Sequence, residues 1–256
     1  MVNDCLRERG ASRIFAPAMQ ALRALAPLDP PDFRHVEGWI FDLDNTLYPA
    51  SCNLFAQIDA RMTAFVQQRL GLVEAQARAL QKAYYRDHGT TLNGLMRING
   101  VAPDEFLSFV HAIDLSVLRP EPAMRAAVAR LPGRRFIFTN GCRRHAARVL
   151  AALELESLFA EVWDIRTVDF RPKPDPASYR AVLARAGLNA EACAMFEDAS
   201  RNLVPAQELG MTTVWLKNGS VWSRQGPEHP KADARHIHHE TEDLAAFLGS
   251  IRTRVS

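Results

Sequence analysis

Residues 39–49, WIFDLDNTLYP, constrain the fold of this chain more than any other stretch. Trp39, Ile40 and Phe41 form a short apolar run, which predicts the end of a buried strand. The run stops at Asp42-Leu43-Asp44, and Asn45-Thr46 turn the chain away. Two carboxylates two residues apart at the end of a central strand are expensive in an ordinary core. Open α/β sheets bind ligands outside the carboxyl ends of their strands, so the position suits a reaction centre. The plain alternative is a turn or helix cap, which Asp, Asn and Thr also favour.

The rest of the chain alternates in a way that supports the sheet. The first strand is expected at about 36–42. Leu54, Ile58, Met62, Phe65, Val66 and Leu70 then recur at helical spacing, Gly71 closes that helix, and a second starts at about Glu74. Another helical piece follows Pro103, and no strand-like alternation interrupts residues 51–118. Further strands are predicted at 134–140, 161–164, 192–196 and 212–216. Helices are predicted at 122–131, along Ala146, Val149, Leu150 and Leu153, at 176–187, at 203–209 and at 243–251. The expectation is an α/β fold: a doubly wound, Rossmann-like parallel sheet with a small all-helical cap inserted after the first strand. The domain boundaries that follow are an extension over 1–33, a core over 34–50 and 119–256, and a cap over 51–118.

Three later motifs sit at the ends of later strands or before a helix. Phe138-Thr139-Asn140-Gly141 offers a hydroxyl, an amide and a glycine, the neutral donors and close approach that a phosphate oxygen needs. Arg171-Pro172-Lys173-Pro174-Asp175-Pro176 presents one lysine between prolines that limit its freedom. Phe196-Glu197-Asp198 ends the fourth strand in an acidic pair. Each is weak alone, since a Thr-Asn is usually a turn, a Lys is usually solvated and a Glu-Asp usually starts a helix. In this order, after Asp42-x-Asp44-x-Thr46, they resemble the four signatures of the haloacid dehalogenase (HAD) superfamily, which is mostly magnesium-dependent phosphatases.

The resemblance implies a set of roles. Asp42 would be the nucleophile and Asp44 the acid–base, with Lys173 neutralising charge. Thr139, Asn140, Gly141 and Lys173 would bind phosphate. Mg²⁺ would be held by the carboxylates of Asp42 and Asp198 and the backbone carbonyl of Asp44, with Glu197 acting through water. The second aspartate, Asp44, disfavours the dehalogenase and phosphonatase branches. The charge count agrees on the metal, because up to four carboxylates in one pocket require a cation or raised pKa values.

The strings LDNTLYP, YYRDHGTTLNGLM, FVHAIDLSVL, PKPDPASY and MFEDASRNL are similar to the pyrimidine 5′-nucleotidase group within that superfamily. This implies hydrolysis of nucleoside 5′-monophosphates, UMP and CMP above all. Thr90, Thr91 and Asn93 offer hydrogen bonds to a polar ring or ribose, and Tyr84, Tyr85 and Met96 a stacking surface, with packing inside the cap as the equal alternative. His111 and Asp114 could line the mouth or be a helix-surface pair. His236, His238 and His239 lack a template for a metal site. Related enzymes with helical caps take phosphoglycolate or sugar phosphates, and a regulatory protein with the same shell is a third reading.

Composition narrows the partners. Lys+Arg 31 against Asp+Glu 29 gives +2, too balanced to suggest a nucleic-acid polymer. The four cysteines form no CxxC pair and read as reduced thiols. No apolar run reaches membrane-spanning length, and Asp4 and Glu8 argue against a secretory signal. The expectation is a cytoplasmic enzyme, monomer or homodimer, acting on a small-molecule phosphomonoester, with no nucleic-acid or membrane partner.

Overall fold

The computed structural model describes residues 29–219 and 234–254 of the 256-residue chain. Residues 1–28 of the expected N-terminal extension, the segment 220–233 and residues 255–256 lie outside the described residues, and Phe33 at the end of the expected extension is buried in the core. Six parallel strands form one sheet: β1 Gly38–Phe41, β2 Arg134–Phe138, β3 Glu161–Trp163, β4 Cys193–Glu197, β5 Thr212–Leu216 and β6 His239–Thr241. Their order is β3-β2-β1-β4-β5-β6, so β1 lies inside and the chain reverses direction of winding beside it. That reversal opens a crevice at the carboxyl ends of β1, β2 and β4.

Burial follows position in the sheet. All residues of β1 and β4 are buried, whereas β6 at the edge is half-exposed. Continuous apolar runs are what a strand covered on both faces requires. Phe41 and Phe196 stand opposite each other in register, with ring centroids 4.5 Å apart and planes 10° from parallel. Trp39 continues the same face against Phe196 and Phe33, and its indole N–H donates to the Pro132 carbonyl at 2.6 Å. This aromatic stack ties the two strands that carry the acidic motifs.

The sixth strand is a departure from the expected five. His239–Thr241 has no apolar alternation and pairs in parallel with β5. The Thr213 hydroxyl, which donates to the His236 carbonyl at 2.7 Å, and His238 Nδ1, which accepts from the Thr213 amide at 3.1 Å, pin the segment to the sheet.

After β1 the chain inserts four helices, α1 Leu54–Leu70, α2 Glu74–His88, α3 Thr91–Asn99 and α4 Pro103–Val110, before a fifth leads back into β2. Gly71 ends α1 in the left-handed conformation at φ +67°, as its position predicts. The Thr90 hydroxyl caps α3 by accepting from the Asn93 amide at 3.1 Å. The core continues with α5 Pro122–Ala129, α6 Arg143–Ala152, α7 Pro176–Ala186, α8 Val204–Glu208 and α9 Leu244–Ser250. Among the described residues no helix is long and apolar enough to cross a membrane.

In the insertion, α2 and α3 meet at Gly94. A Cβ added there would lie 2.3 Å from Cγ of Tyr84, whose ring is buried and whose hydroxyl donates to Asn99 Oδ1 at 2.8 Å. We predict that Gly94→Ala destabilises the protein by about 1–3 kcal/mol through overpacking. Thermal or denaturant unfolding checks this; an unchanged midpoint would contradict the close packing.

Candidate functional site

The site is built where β1, β2 and β4 end. The Asp42 amide donates to the Phe196 carbonyl at 2.9 Å, extending the β1–β4 ladder by one residue and fixing the carboxylate at the sheet's rim. Asn45, in the left-handed region at φ 63°, then turns the chain. The Thr46 hydroxyl donates back to Asp42 Oδ2 at 3.1 Å. At the end of β2, Thr139 Oγ1 accepts from the Gly141 amide at 2.9 Å. Asn140 spends its side chain on the Lys173 backbone: its Nδ2 donates to the carbonyl at 3.1 Å and its Oδ1 accepts from the amide at 2.8 Å. The loop after β3 is thereby clamped to the end of β2, which sets the origin of the lysine side chain.

Lys173 is buried, and its Nζ donates to Asp42 Oδ1 at 2.7 Å and to Glu197 Oε2 at 2.6 Å. Burial alone would lower its pKa, but the two carboxylates outweigh burial and hold it above the usual lysine value. Asp42 is pushed up to about 7, first by burial and then by the Glu197 charge, with Lys173 opposing. Asp198 is raised for the same two reasons. Ligand atoms of Asp42, Glu197 and Asp198 lie within 4.8 Å of one another, and all three residues are buried. Three carboxylates against one ammonium leave an excess of negative charge with only oxygen donors. That donor set fits a hard divalent cation such as Mg²⁺.

Asp44 faces a different environment. Its Oδ1 accepts from the Tyr48 hydroxyl at 2.7 Å and lies 2.8 Å from His145 Nε2. Burial pushes its carboxyl up, but His145 and then Tyr48 outweigh burial and bring it below the usual carboxylate value. The His145 ring stacks on His111 at 4.4 Å and 12°, and His111 Nδ1 lies 3.2 Å from Cys142 Sγ. Burial first, then the neighbouring His145, lowers His111 to about 3. His145 and Tyr48 were not among the expected site residues. The signal for His145 is its place in the apolar stripe with Ala146, Val149 and Leu150, a position where a histidine needs a buried partner.

A cavity of about 180 Å³ opens from these groups toward the insertion. Asp42, Asp44, Thr139, Asn140, Gly141, Lys173, Glu197 and Asp198 all border it. From the insertion come apolar side chains of Phe55, Ile58, Met62, Phe106, Leu107 and Val110, with Thr90, Thr91, Gln81, Lys82 and Tyr85 as polar ribs. Asp59, buried, accepts from Gln81 Nε2 and Lys82 Nζ, each at 2.7 Å. The Arg201 guanidinium, just beyond the acidic pair, donates to the Tyr85 hydroxyl and so bridges core and insertion.

The expected specificity residues divide. Thr90 and Thr91 border the cavity, although the Thr91 hydroxyl donates to the Gln81 carbonyl at 3.2 Å. Tyr84 packs between α2 and α3, and Asn93 and Met96 border a second groove with Phe170 and Pro172. Asn93 Nδ2 donates to the Phe170 carbonyl at 3.0 Å, tying the insertion to the loop that carries Lys173. His111 borders the cavity, and Asp114 is turned outward onto Ser116. Among the described residues His236, His238 and His239 form no group with metal-ligand spacing.

Residues 36–210 match the model of the haloacid dehalogenase-like hydrolase family. Phosphate metabolism protein 8 of Saccharomyces cerevisiae is 28% identical over 202 residues, covering 72% of this chain and 61% of the yeast protein. This chain therefore spans about three fifths of that relative's length. A HAD phosphatase of Thermococcus onnurineus superposes with a TM-score of 0.55 at 16% identity, covering 85% of this chain and all (100%) of that one. The magnesium-bound HAD-hydrolase YfnB of Bacillus subtilis gives a TM-score of 0.53 at 16% identity, covering 84% and 97%. At such identities the structural likeness speaks for the fold, whereas the family match spans β1 to β4, the insertion and all four motifs. The chain belongs to the haloacid dehalogenase-like hydrolase family.

Proposed function

We propose that this hydrolase is a Mg²⁺-dependent phosphomonoesterase that takes nucleoside 5′-monophosphates, UMP and CMP above all, through an aspartyl-phosphate on Asp42. The observation that carries the reading is the pairing of two unlike aspartates at the end of β1. Asp42 lies against the Lys173 ammonium at 2.7 Å, and Asp44, two residues on, is held by Tyr48 and His145. A nucleophile and a separate acid–base are what a two-step phosphoryl transfer needs.

In this mechanism an Asp42 oxygen attacks phosphorus in line, and the P–O bond to the leaving alcohol breaks. The charge of the bound phosphate ester raises the Asp44 carboxyl, which His145 and Tyr48 otherwise hold low, so that it carries a proton and gives it to the departing alkoxide. It then takes a proton from the water that attacks the aspartyl-phosphate, which releases phosphate and frees Asp42. Lys173, the Thr139 hydroxyl and the backbone amides near Asn140 and Gly141 neutralise and orient the phosphoryl oxygens. Asp42 and Asp198 would hold Mg²⁺ by carboxylates and Asp44 by its carbonyl, with Glu197 through water. The bound ion would supply further charge neutralisation to those oxygens.

The cavity supports the substrate reading. Its apolar flank from Phe55 to Val110 suits a ring, and the polar ribs Thr90, Thr91, Gln81, Lys82 and Tyr85 suit its hydrogen-bonding edge or the ribose. Tyr84, Asn93 and Met96 would act on specificity by holding the α2–α3 unit in place. A second reading keeps the chemistry and takes a smaller phosphorylated metabolite. What favours it is the cavity's 180 Å³, below the roughly 300–1,000 Å³ of pockets for drug-sized ligands.

Phosphate release from UMP, CMP, AMP, phosphoglycolate and a hexose phosphate tests both readings. We expect UMP and CMP to dominate, with activity lost on chelation and in Asp42→Asn. Turnover of phosphoglycolate or a sugar phosphate alone would select the second reading, and unaltered turnover in Asp42→Asn would refute the nucleophile.

The raised carboxyls make a second prediction. Above about pH 4 the unfolded chain has lost protons that the folded site retains until about pH 7 at Asp42. Without a divalent cation, stability contributed by this site therefore falls as pH rises through that window. A bound cation displaces the retained proton. Mg²⁺ should raise the melting temperature more at pH 8 than at pH 5; an equal shift at both would contradict the site.

A further inference from the structure

We propose that His145 is a positioning residue that, with Tyr48, holds Asp44 so that its other oxygen alone carries the proton to and from the reacting alcohol and water. The inference rests on the phosphatase reading of Asp42 and Asp44. It concerns a side chain that lies outside the four motifs and touches no phosphoryl group in that mechanism.

The geometry is specific to one oxygen. His145 Nε2 and the Tyr48 hydroxyl converge on Asp44 Oδ1 at 2.8 and 2.7 Å. Among the described residues Asp44 Oδ2 has no hydrogen-bond partner, and Asp44 borders the cavity. Rotation of a carboxyl about its last torsion is broad and two-fold, so an unheld aspartate would present either oxygen in many orientations. Two donors on Oδ1 remove that freedom and leave Oδ2 turned toward the reacting atoms. They also stabilise the carboxylate that remains once Oδ2 has given up its proton.

His145 is itself fixed in a way that serves this bond. It is fully buried, at 0% exposure, and its Nδ1 has no partner. A buried N–H without an acceptor is rarer than a bare lone pair, so the hydrogen belongs on Nε2, facing Asp44. The ring plane is set by the stack on His111. Gly141 lies beside the pair: a Cβ there would meet Thr139 Oγ1 at 3.2 Å, with His145 Cδ2 and His111 Nε2 at van der Waals distance, 3.4 and 3.6 Å. A histidine kept only for packing would not need an Nε2–H aimed at a carboxylate.

The test compares leaving groups within one protein sample, so that any misfolded fraction cancels. p-Nitrophenolate leaves with little need of a proton, whereas an alkoxide needs one. In His145→Leu, kcat/KM for whichever alkyl phosphate of the panel is turned over should fall by about 100-fold, the lower end of general-acid contributions. For p-nitrophenyl phosphate it should fall less than about tenfold. His145→Gln, whose amide nitrogen can reach the Nε2 position, should recover most of the difference, and His145→Asn, which mimics Nδ1, should not. Equal losses on the two esters, or a Gln variant no better than the Asn variant, would overturn the proposal. A wild-type protein that hydrolyses no ester would sink the phosphatase reading and this inference with it; active protein with an unaltered ester ratio would sink this inference alone.

Discussion

The Lys173 ammonium, buried between Asp42 and Glu197, is the interaction on which the site depends. Three carboxylates converge at the ends of β1 and β4, and in a buried pocket they repel each other and resist ionisation. Lys173 is the cation that the chain itself brings to that crowd. Breaking such a buried pair costs about 3–5 kcal/mol, because the partner is left charged and unpaired. The remaining excess of negative charge is what invites a divalent ion. The same arrangement that makes the pocket costly without a cation is therefore the one that makes it chemically useful.

The rest of the fold holds that arrangement in register. The stack of Phe41 on Phe196 fixes β1 against β4, and so Asp42 against Glu197 and Asp198. Asn140 clamps the Lys173 backbone to the end of β2, and Asn93 ties the insertion to Phe170 in the same loop. Above, the insertion contributes an apolar wall whose polar members are themselves bonded, as Asp59 is to Gln81 and Lys82. A floor that is charged and rigid meets a roof that is apolar and polar by turns. That division matches a substrate with one invariant anionic end and one variable end.

Much of this was legible in the sequence, for physical reasons that also explain what was not. Continuous apolar runs such as Trp39–Ile40–Phe41 announce buried parallel strands, and abrupt acidic ends announce the crevice beyond them. The helical insertion followed from its 3.6-residue periodicity. The edge strand β6 escaped because His239-Glu240-Thr241 carries no apolar pattern and is a strand only by pairing with β5. The cavity walls escaped in part because Asp59, Gln81 and Lys82 are residue types that ordinarily face solvent, and tertiary packing buries Asp59 and Gln81. The Asp44–His145 contact joins residues 101 positions apart, which no local pattern encodes. The expected specificity residues divide for the same cause: Thr90 and Thr91 reach the cavity, whereas Tyr84, Asn93 and Met96 serve neighbouring contacts.

In the proposed mechanism the phosphoryl group is transferred to Asp42. The most direct test is to mix enzyme, Mg²⁺ and excess ester, quench in acid within the first turnovers, and map the protein by mass spectrometry. A phosphoryl group should appear on the peptide containing Asp42, removable by hydroxylamine and absent in Asp42→Asn. A phosphoryl group on another residue, or a stoichiometric first-turnover burst of the released alcohol with none on Asp42, would contradict that mechanism.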